Sequence, residues 1–344
     1  MKKQRKQESQ RYAECMTILV RGDGIAAYCC AHLLAQAGVR VALDRPSRPR
    51  VPAIMLSEAA VSLLADVFGH KDLFRDLPRV RSRSVLWGEQ AAPVKLPHSA
   101  VVVSEQMLLA SLRPQISFEE SLEPAWTVYA SRPLPAGAVE HKFGSRVARA
   151  SQVDVRNSEG PGCWTESTEN GWLFLIGDQD GKGWLLTVGG ETSAVLVRSR
   201  LIAAHIERLR GSGGEFPSYP RILAPLSADQ WLACGTAAIG FDPICGDGTA
   251  HAVREAILAA AAIRAISSGA NAAAVLAHYE SRLTAGFQRH LESCGGFYRA
   301  GGSGPWWQSE LEAAEQGLAW CAQRMASFPA FRFRLNGYDL EVVA

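Results

Sequence analysis

The regular pattern of the chain begins with an apolar run at 16–20, a stretch with helical spacing at 28–36 and a second apolar run at 39–43. Short apolar runs are typical of buried parallel strands, and apolar residues that recur every three or four positions are typical of a helix packed on a sheet. Residues 1–14 are polar and precede this pattern. The N-terminal region therefore predicts a β-α-β unit behind a polar tail.

The rest of the chain predicts a mixture of sheet and helix. Strands are predicted at 84–87, 100–103, 172–176, 184–188 and 231–235. Helices are predicted at 53–68, 104–112, 193–210, 248–267, 271–292 and 310–327. The turn residues at 177–183 indicate an antiparallel hairpin, whereas 114–162 and 295–307 are expected to be irregular.

A glycine pattern separates the first predicted strand from the first helix, with Gly22, Gly24 and Ala27 spaced as Gly-x-Gly-x-x-Ala. In a dinucleotide-binding turn the first glycine permits the sharp turn and the second lets the backbone approach a pyrophosphate. The third position must be small so that the helix can pack on the strand, and the helix N-terminus attracts phosphate. Asp44 ends the second strand, where a carboxylate reaches a ribose hydroxyl. The alternative is an ordinary turn with Asp44 on the surface.

Composition indicates a folded protein and narrows its partners. Of 344 residues, 47% are hydrophobic and 20% are charged, and the formal net charge is only +2. A nucleic-acid-binding surface is therefore not expected. The length allows two domains, or one large domain with an insert.

The eight cysteines form no Cys-x-x-Cys pair and no cluster with zinc spacing, so we expect reduced thiols, no metal site and a cytoplasmic location. No apolar stretch reaches the length of a membrane span, and no signal-peptide core follows the basic N-terminus. We therefore expect no membrane association. Motifs of hydrolases and nucleotide triphosphatases are also absent.

A second constellation follows the predicted strand at 231–235. The chain reads Asp242-Pro243-Ile-Cys-Gly246-Asp-Gly248 and then enters a long, alanine-rich helical segment. This segment resembles the Asp-Pro-x-x-Gly-x-Gly turn of halogenase-like members of the FAD-dependent monooxygenase and halogenase superfamily. The resemblance implies that the glycines leave room for the isoalloxazine ring. It also implies that the helix N-terminus faces the negative charge of the reduced flavin.

A third segment is similar to the central-sheet signature of the same family, with Gly-Trp pairs at Trp172 and Trp184. The three segments follow the family order over 16–310. In length and character the chain is most similar to the LodB/GoxB-like flavoproteins of tryptophylquinone biogenesis, which are associated with hydroxylation of a tryptophan side chain in a partner protein. The resemblance implies FAD as cofactor and an α/β fold. That fold is a Rossmann-like FAD-binding domain of the glutathione-reductase type with an inserted, mostly antiparallel β-sheet domain and a C-terminal helical segment.

The chain also departs from the family pattern. Thr236 stands where the family has the aspartate that binds the ribityl chain, and the segment 129–132 is an imperfect counterpart of the family's Asp-Ala-Thr-Gly turn. The halogenase Trp-x-Trp-x-Ile-Pro motif is absent. Lys71 is the one lysine between 43 and 94 and is no secure counterpart of the halogenase catalytic lysine. Halogenation is therefore disfavoured.

The candidate site residues fall into two groups. Those predicted to bind the cofactor are Gly22, Gly24, Ala27, Asp44, Arg45, Thr236, Asp242, Pro243, Gly246 and Gly248. Those predicted to contact substrate are Trp172, Trp184, Trp306 and Trp307. No catalytic side chain is assigned.

Several of these residues have alternative interpretations. Arg45 is included because family members often place an arginine here against the FAD phosphates or adenine, but Arg45, Arg48 and Arg50 also fit a solvated basic loop. Trp306 and Trp307 also fit core anchors. Farther along the chain, His251 and Glu255 have the spacing of a surface pair on a helix, although they could face the flavin.

The expected FAD-binding domain is discontinuous and comprises 15–80, 100–135 and 220–285. A substrate domain is expected from 81–99 and 136–219, and a C-terminal helical segment from 286–344.

Together these features predict an FAD-dependent monooxygenase that hydroxylates an electron-rich aromatic substrate, either a small molecule or a tryptophan side chain in a partner protein. The sequence has one dinucleotide-binding unit, so we expect an external reductant: NAD(P)H bound transiently, or a flavin reductase. Two alternatives stay open. One is an oxidase or dehydrogenase on the same fold, and the other is a degenerate flavin fold that binds ligands without redox activity.

Overall fold

The computed structural model describes residues 17–112, 123–156, 160–178, 180–330 and 333–343. The predicted polar tail, and residue 16 of the first predicted strand, lie outside these residues. The described strands are β1 (Thr17–Arg21), β2 (Arg40–Asp44), β3 (Ile54–Ser57), β4 (Arg79–Leu86), β5 (Val94–Val103), β6 (Trp126–Tyr129), β7 (Val139–Lys142), β8 (Val147–Val155), β9 (Gly162–Thr168), β10 (Gly171–Gly177), β11 (Lys182–Val188), β12 (Ile206–Pro217), β13 (Arg221–Ala224), β14 (Ser227–Ala228), β15 (Trp231–Ala233), β16 (Ile239–Gly240), β17 (Phe333–Asn336) and β18 (Asp339–Val342).

The described α-helices are α1 (Ile25–Gln36), α2 (Glu58–Phe68), α3 (Glu105–Ser111), α4 (Thr192–Leu196), α5 (Gly235–Ala238), α6 (Gly248–Ser267), α7 (Ala272–Gly301) and α8 (Pro305–Ala326). Short 3-10 turns occupy Ile202–His205 and Pro243–Cys245. None of these helices is long and apolar enough to cross a membrane.

The first sheet has five strands in the order β14-β15-β6-β1-β2. Its strands β15, β6, β1 and β2 are parallel, and β1 pairs with β2 in the register Ile18↔Val41. The connecting helix α1 is apolar on almost every side, because it lies between this sheet and α6. The predicted β-α-β unit is confirmed, and it opens a Rossmann-like sheet.

The second sheet has eight strands in the order β12-β8-β11-β10-β9-β4-β5-β3, antiparallel except where β4 runs beside β9. The predicted hairpin is confirmed, with β10 and β11 paired at Ile176↔Trp184. A three-stranded sheet, β16-β13-β7, and the long helices α6 to α8 complete the α/β fold, with a final hairpin of β17 and β18. The predicted fold class is confirmed, and the domain division stays a prediction.

The region 53–68 begins as a strand, so the helix predicted there starts too early. Residues Ile54–Ser57 form β3 and pair with β5. Ser57 is the N-cap of α2, because its hydroxyl accepts the N–H of Ala60 at 3.2 Å. This cap marks the true helix start.

The helix predicted at 193–210 is also wrong, because only Thr192–Leu196 is α-helical and β12 takes over at Ile206. The buried carboxylate of Glu166 explains the break. It accepts backbone N–H groups of Arg200, Leu201 and Ile202 and so holds the chain in an open turn. The expected irregularity of 114–162 is likewise wrong for the described part, which contains β6, β7 and β8.

The loop predicted at 295–307 is mostly helical. Helix α7 continues to Gly301, and α8 begins at Pro305. The glycines in this region make room for the Trp307 ring. A Cβ at Gly301 or Gly302 would lie 2.3 or 2.4 Å from that ring, which is almost fully buried. Glycine is therefore required here by close packing and not by a loop.

Candidate flavin and substrate site

Three chain segments, which follow the parallel strands β1, β6 and β15, meet at the carboxyl ends of these strands. A Cβ at Gly22 would lie 3.0 Å from the Cβ of Ala130, and one at Gly235 would lie 2.6 Å from the Cβ of Ala26. The φ angles of Gly22 and Gly235 are +155° and +56°, which favour glycine. The exposed Thr236 follows, and its hydroxyl donates to the Ala130 carbonyl at 3.4 Å. The structure thus brings the Gly22 turn, the segment 129–132 and the segment 235–236 to one edge of the first sheet, where ligands bind in open α/β folds.

The segment at 22–27, called the first turn below, leads into the N-terminus of α1. Gly24 is the N-cap and carries no side chain that could cap the helix, so the first N–H groups of α1 are available to a ligand. A Cβ at Gly24 would lie 3.2 Å from Nη2 of Arg48. Ala27 is fully buried against the strand, as a small residue at this position must be.

Two arginines, Arg48 and Arg50, bind the first turn, and the predicted Arg45 does not share these contacts. Arg48 and Arg50 both donate to the Asp23 carbonyl, at 3.1 and 2.6 Å. Arg48 also pairs with the buried carboxylate of Glu105, and Arg50 pairs with that of Asp23 at 2.5 Å. Arg45 is exposed. The basic segment therefore reaches the turn through its second and third arginines.

Asp44 lies at the end of β2, where the sequence predicts it. Its backbone carbonyl accepts the Gly22 N–H at 2.8 Å, and its carboxylate pairs with Nε of Arg21 at 2.9 Å. This contact raises the pKa of Arg21. The Asp44 side chain is 44% exposed, so it faces the outside of the sheet edge.

The second turn, at 242–248, is anchored by a fully buried carboxylate. Asp242 lies 2.9 Å from Nε of Arg146, and its Oδ2 accepts the hydroxyl of Tyr298 at 2.7 Å. Its Oδ1 caps the turn by accepting the N–H of Ile244 at 3.0 Å. Burial raises the pKa of Asp242, although Arg146 opposes that rise. The turn is therefore held from inside the protein.

Arg146 links this turn to the C-terminal helices. Its guanidinium is fully buried, pairs with Glu310 and lies 4.5 Å from the centre of the Tyr298 ring. The Tyr298 hydroxyl also accepts the indole N–H of Trp172 at 3.4 Å. The network thus joins the turn to the central strand β10 and to both α7 and α8.

Cys245, His290 and Cys294 lie beside the turn, with their possible ligand atoms within 4.8 Å of one another. The sulfur atoms of the two cysteines are 3.6 Å apart. His290 Nε2 already accepts the N–H of Asp242 at 2.8 Å, so its lone pair is engaged in a hydrogen bond. Burial lowers the pKa of His290 to about 3, which keeps the ring neutral. The cluster serves as a second hydrogen-bonded anchor of the turn.

His251 and Glu255 do not form the surface pair expected from their spacing. Glu255 is buried on α6, and its Oε2 accepts the N–H of Gly235 at 2.7 Å. Burial raises the pKa of Glu255 to about 8, so the carboxyl is largely protonated at neutral pH. His251 stacks on Phe241 at 4.3 Å between ring centres.

A cavity of about 760 Å³ lies between the second turn and the face of the large sheet. The turn contributes its residues from Asp242 to Thr249, except Cys245. The sheet contributes aromatic side chains, and the segment 49–55 closes a third side. The aromatic lining residues are Trp172, Phe174, Trp184, Phe216 and Phe241.

The cavity divides the predicted substrate residues. Trp172 and Trp184 line it, and so do Asp242, Pro243, Gly246 and Gly248 of the predicted cofactor set. Trp306 and Trp307 are not among its lining residues. They pack with each other at 4.9 Å between ring centres, and the Trp307 indole donates to the carbonyl of Thr168.

Sequence reasoning missed the side chains that hold the second turn: Arg146, His290, Tyr298 and Glu310. Arg146 falls in a segment expected to be irregular, and Tyr298 falls in a segment expected to be a loop. The sequence shows Arg146 and Glu310, but it does not indicate which partner either side chain binds.

The fold of this chain is similar to the folds of FAD-dependent halogenases and monooxygenases. No family model matches the sequence, and no curated protein matches it.

Three solved structures are among the similar ones. The flavin-dependent halogenase CmlS matches with a TM-score of 0.72 and 18% identity, over 88% of this chain and 70% of that chain. The peptidyl tryptophan dihydroxylase QhpG, which is essential for tryptophylquinone cofactor biogenesis, matches with a TM-score of 0.69 and 16% identity, over 95% and 86%. The myxobacterial chondrochloren halogenase CndH, a variant of the FAD-dependent halogenases, matches with a TM-score of 0.69 and 18% identity, over 91% of each chain.

Proposed function

We propose that this protein is an FAD-dependent monooxygenase that hydroxylates an electron-rich aromatic substrate. The observation that carries the proposal is the cavity between the second turn and the aromatic face of the large sheet. A flat ring against the turn would face an aromatic substrate bordered by Phe174 and Trp184. The cavity volume falls in the range of small-molecule sites.

The residues present fit FAD at both turns. At the first turn, Gly24 exposes the N-terminus of α1 to a pyrophosphate, and Asp44 lies at the strand end where a ribose hydroxyl would be bound. At the second turn, a Cβ at Gly248 would meet no atom within 4 Å, so the backbone borders open space. The N-terminus of α6 begins there without a side-chain cap. Thr236 is exposed at the edge between these two turns.

Bound FAD would supply the activation of oxygen, and the protein supplies orientation and a dry site. Asp242 fixes the second turn through its bonds to Tyr298 and Ile244. The dipole of α6 favours negative charge at that turn. The partly exposed ring of Trp184 can stack on an aromatic ring, whereas Trp172 is almost fully buried and forms part of the cavity wall. Electron-rich rings suit this chemistry because they donate electron density to the transferred oxygen.

A reductant must come from outside this site. Within the described ranges, one strand–turn–helix unit carries the Gly-x-Gly-x-x-Ala pattern, the one at Gly22. We therefore infer that NAD(P)H binds transiently or that a flavin reductase delivers electrons. The substrate is either an aromatic small molecule or a tryptophan of a partner protein. Similarity of the fold to QhpG, a peptidyl tryptophan dihydroxylase, supports the second of these.

The test is reconstitution with FAD followed by turnover under labelled oxygen. We expect flavin absorption bands that stay with the protein, and one ¹⁸O atom from ¹⁸O₂ in the product of an indole or phenol substrate when NADH or a reductase is present. Reduction of the flavin by the aromatic substrate alone, without oxygen incorporation, would show an oxidase instead. A protein that retains no FAD would show a binding protein.

A further inference from the structure

The charged side chains that line the cavity differ in their partners. Four of the five have an opposite charge within 3.2 Å: Arg50 with Asp23, Glu215 with Arg149, Asp242 with Arg146, and Asp247 with Arg254. The fifth is Arg83. Among residues 17–112, 123–156, 160–178, 180–330 and 333–343, no carboxylate lies within salt-bridge distance of it.

Arg83 extends from β4 into the wall of the cavity that faces the second turn. One of its terminal nitrogens, Nη2, would lie 3.7 Å from a Cβ placed on Gly246. Its guanidinium carbon lies 5.7 Å from the centre of the Phe174 ring. Its Nε is inaccessible to water and has no hydrogen-bond acceptor in the part of the chain that the structure describes. The thiol of Cys163, opposite Arg83 on the adjoining strand β9, is within hydrogen-bonding reach of the Arg83 side chain, and burial raises the pKa of that thiol.

These surroundings leave the positive charge poorly compensated. A guanidinium stays protonated, and a neutral thiol and an aromatic ring replace only part of its hydration. A partly buried cation of this kind gains most from an anion that it can bind through two N–H groups, as it binds a carboxylate. The neighbouring aromatic side chains would contact the ring of a ligand only through apolar faces. The charge of Arg83 would therefore fix the orientation of the ligand.

We propose that Arg83 binds a carboxylate carried by the aromatic substrate, so that the substrate class is aromatic acids. This inference rests on the proposed function. Phe174 lies next to Arg83 and Trp172 and Trp184 line the same cavity, which leaves the ring of the ligand among the aromatic side chains and its carboxylate at the guanidinium. The carboxylate can belong to a free aromatic acid or to an acidic residue beside a tryptophan in a polypeptide.

The test compares ligands that share one ring and differ in charge. Binding of indole-3-propionate, indole-3-propionamide and tryptamine to the FAD-reconstituted protein is followed by the change in flavin absorption. We expect the acid to bind at least about tenfold more tightly than the amide, the size of a charge-assisted hydrogen bond. In Arg83→Gln that preference should disappear, and in Arg83→Lys part of it should remain. Equal affinity for acid and amide in the wild-type protein would overturn the inference.

Arg81→Gln is the matched control. Arg81 lies on the same strand with an exposed side chain, so the substitution removes the same charge from outside the cavity. It should keep the preference. FAD affinity is measured for each variant. Weaker FAD binding in Arg83→Gln, with an unchanged ligand preference, would assign the arginine to the cofactor and overturn the inference.

Two further comparisons separate the outcomes. The capped peptides acetyl-Asp-Trp-amide and acetyl-Asn-Trp-amide report a carboxylate in a polypeptide, whereas indole-3-propionate reports a free acid. Preference for the aspartate peptide over indole-3-propionate would assign a protein substrate. An intact acid preference without ¹⁸O incorporation would sink the proposed monooxygenase and keep the anion site. Oxygenation without any acid preference would do the reverse.

Discussion

The two turns of the candidate site are built in different ways. The first, from Gly22 to Ala27, is local: its glycines, its helix start and its strand lie within a few residues of one another, and its arginines follow soon after. The second, at 242–248, is held by side chains from distant parts of the chain. Arg146, in the connection between β7 and β8, and Tyr298, on α7, reach Asp242 across 96 and 56 positions.

The difference shows why a motif can be visible while its support is not. Spacing along the chain encodes most of the first turn, because its glycines, helix start, strand and arginines are close in sequence and only partners such as Glu105 and Ala130 come from farther away. The second turn shows its glycines in the sequence, but the charge that compensates its buried carboxylate comes from the fold. A variant that removes a distant anchor should therefore damage the second turn and leave the first intact.

The largest effect is expected from Arg146→Met. The change leaves the buried carboxylates of Asp242 and Glu310 without their cation, and loss of one partner of a buried ion pair costs about 3–5 kcal/mol in the free energy of unfolding. Urea denaturation followed by circular dichroism measures it. Arg210→Met removes an exposed arginine paired with Asp154 and should leave the denaturation midpoint nearly unchanged. Equal midpoints for the two variants would contradict the buried anchor.

A smaller effect, confined to the first turn, is expected from Gly24→Val. The branched side chain would meet Arg48 and block the approach of a pyrophosphate to the backbone. We expect FAD affinity to fall about 100-fold, or roughly 2.7 kcal/mol, with the fold retained. Gly211→Ala is the control, since a Cβ there would meet no atom within 4 Å and the residue lies on β12. Unchanged FAD binding by the valine variant would place the pyrophosphate elsewhere.

Gly248→Leu isolates the second turn. The backbone there borders open space, so the leucine fits the protein alone and conflicts only with a ring placed against the turn. We expect about a tenfold loss of FAD affinity, near 1.4 kcal/mol, and shifted flavin absorption bands. Gly246→Leu is less informative because its φ of +71° adds backbone strain. Flavin spectra and FAD affinity equal to those of the wild-type protein would contradict the placement of the isoalloxazine ring against this turn.

The smallest effect, when expressed per pH unit, concerns Glu255, which supports the end of β15 from α6. Its pKa is about 8 in the folded protein, above the value of a free glutamate, so the folded state holds a proton that the unfolded state releases. Stability should therefore be greatest at low pH and fall as pH rises toward 8, by about 1 kcal/mol per pH unit. Glu255→Gln should lack this slope. Denaturation at pH 5.5, 6.5 and 7.5 compares the two, and parallel curves would contradict the buried, protonated carboxyl.

The parts that sequence patterns predict well are those set by neighbours. The β-α-β unit, the hairpin of β10 and β11 and the start of α6 at Gly248 all follow from local periodicity and turn residues. The failures share one cause, which is a tertiary contact that overrides local preference. Contacts with Glu166 prevent the helix expected after residue 196. The Trp307 ring packs against Gly301 and Gly302, whose presence in the sequence led to the prediction of a loop.

The candidate site follows the same division. The glycines of both turns, Trp172 and Trp184 could be chosen from the sequence, and the last two line the cavity. Trp306 could not be separated from them by composition, because all are tryptophans beside glycine-containing segments. Arg83 gave no signal at all, since an arginine in a strand is ordinary until the distance to the nearest described carboxylate is known.

The buried bond between Arg146 and Glu310 has a consequence for the order in which the protein is made. The two residues are 164 positions apart. At a synthesis rate of about 5–20 residues per second, Arg146 leaves the ribosome roughly 8 to 33 s before Glu310. During that interval the first turn already has Arg48, Arg50 and Glu105, whereas the second turn still lacks Glu310, one of the two carboxylates that pair with Arg146. We expect the first turn of the nascent chain to reach its final structure before the second turn does.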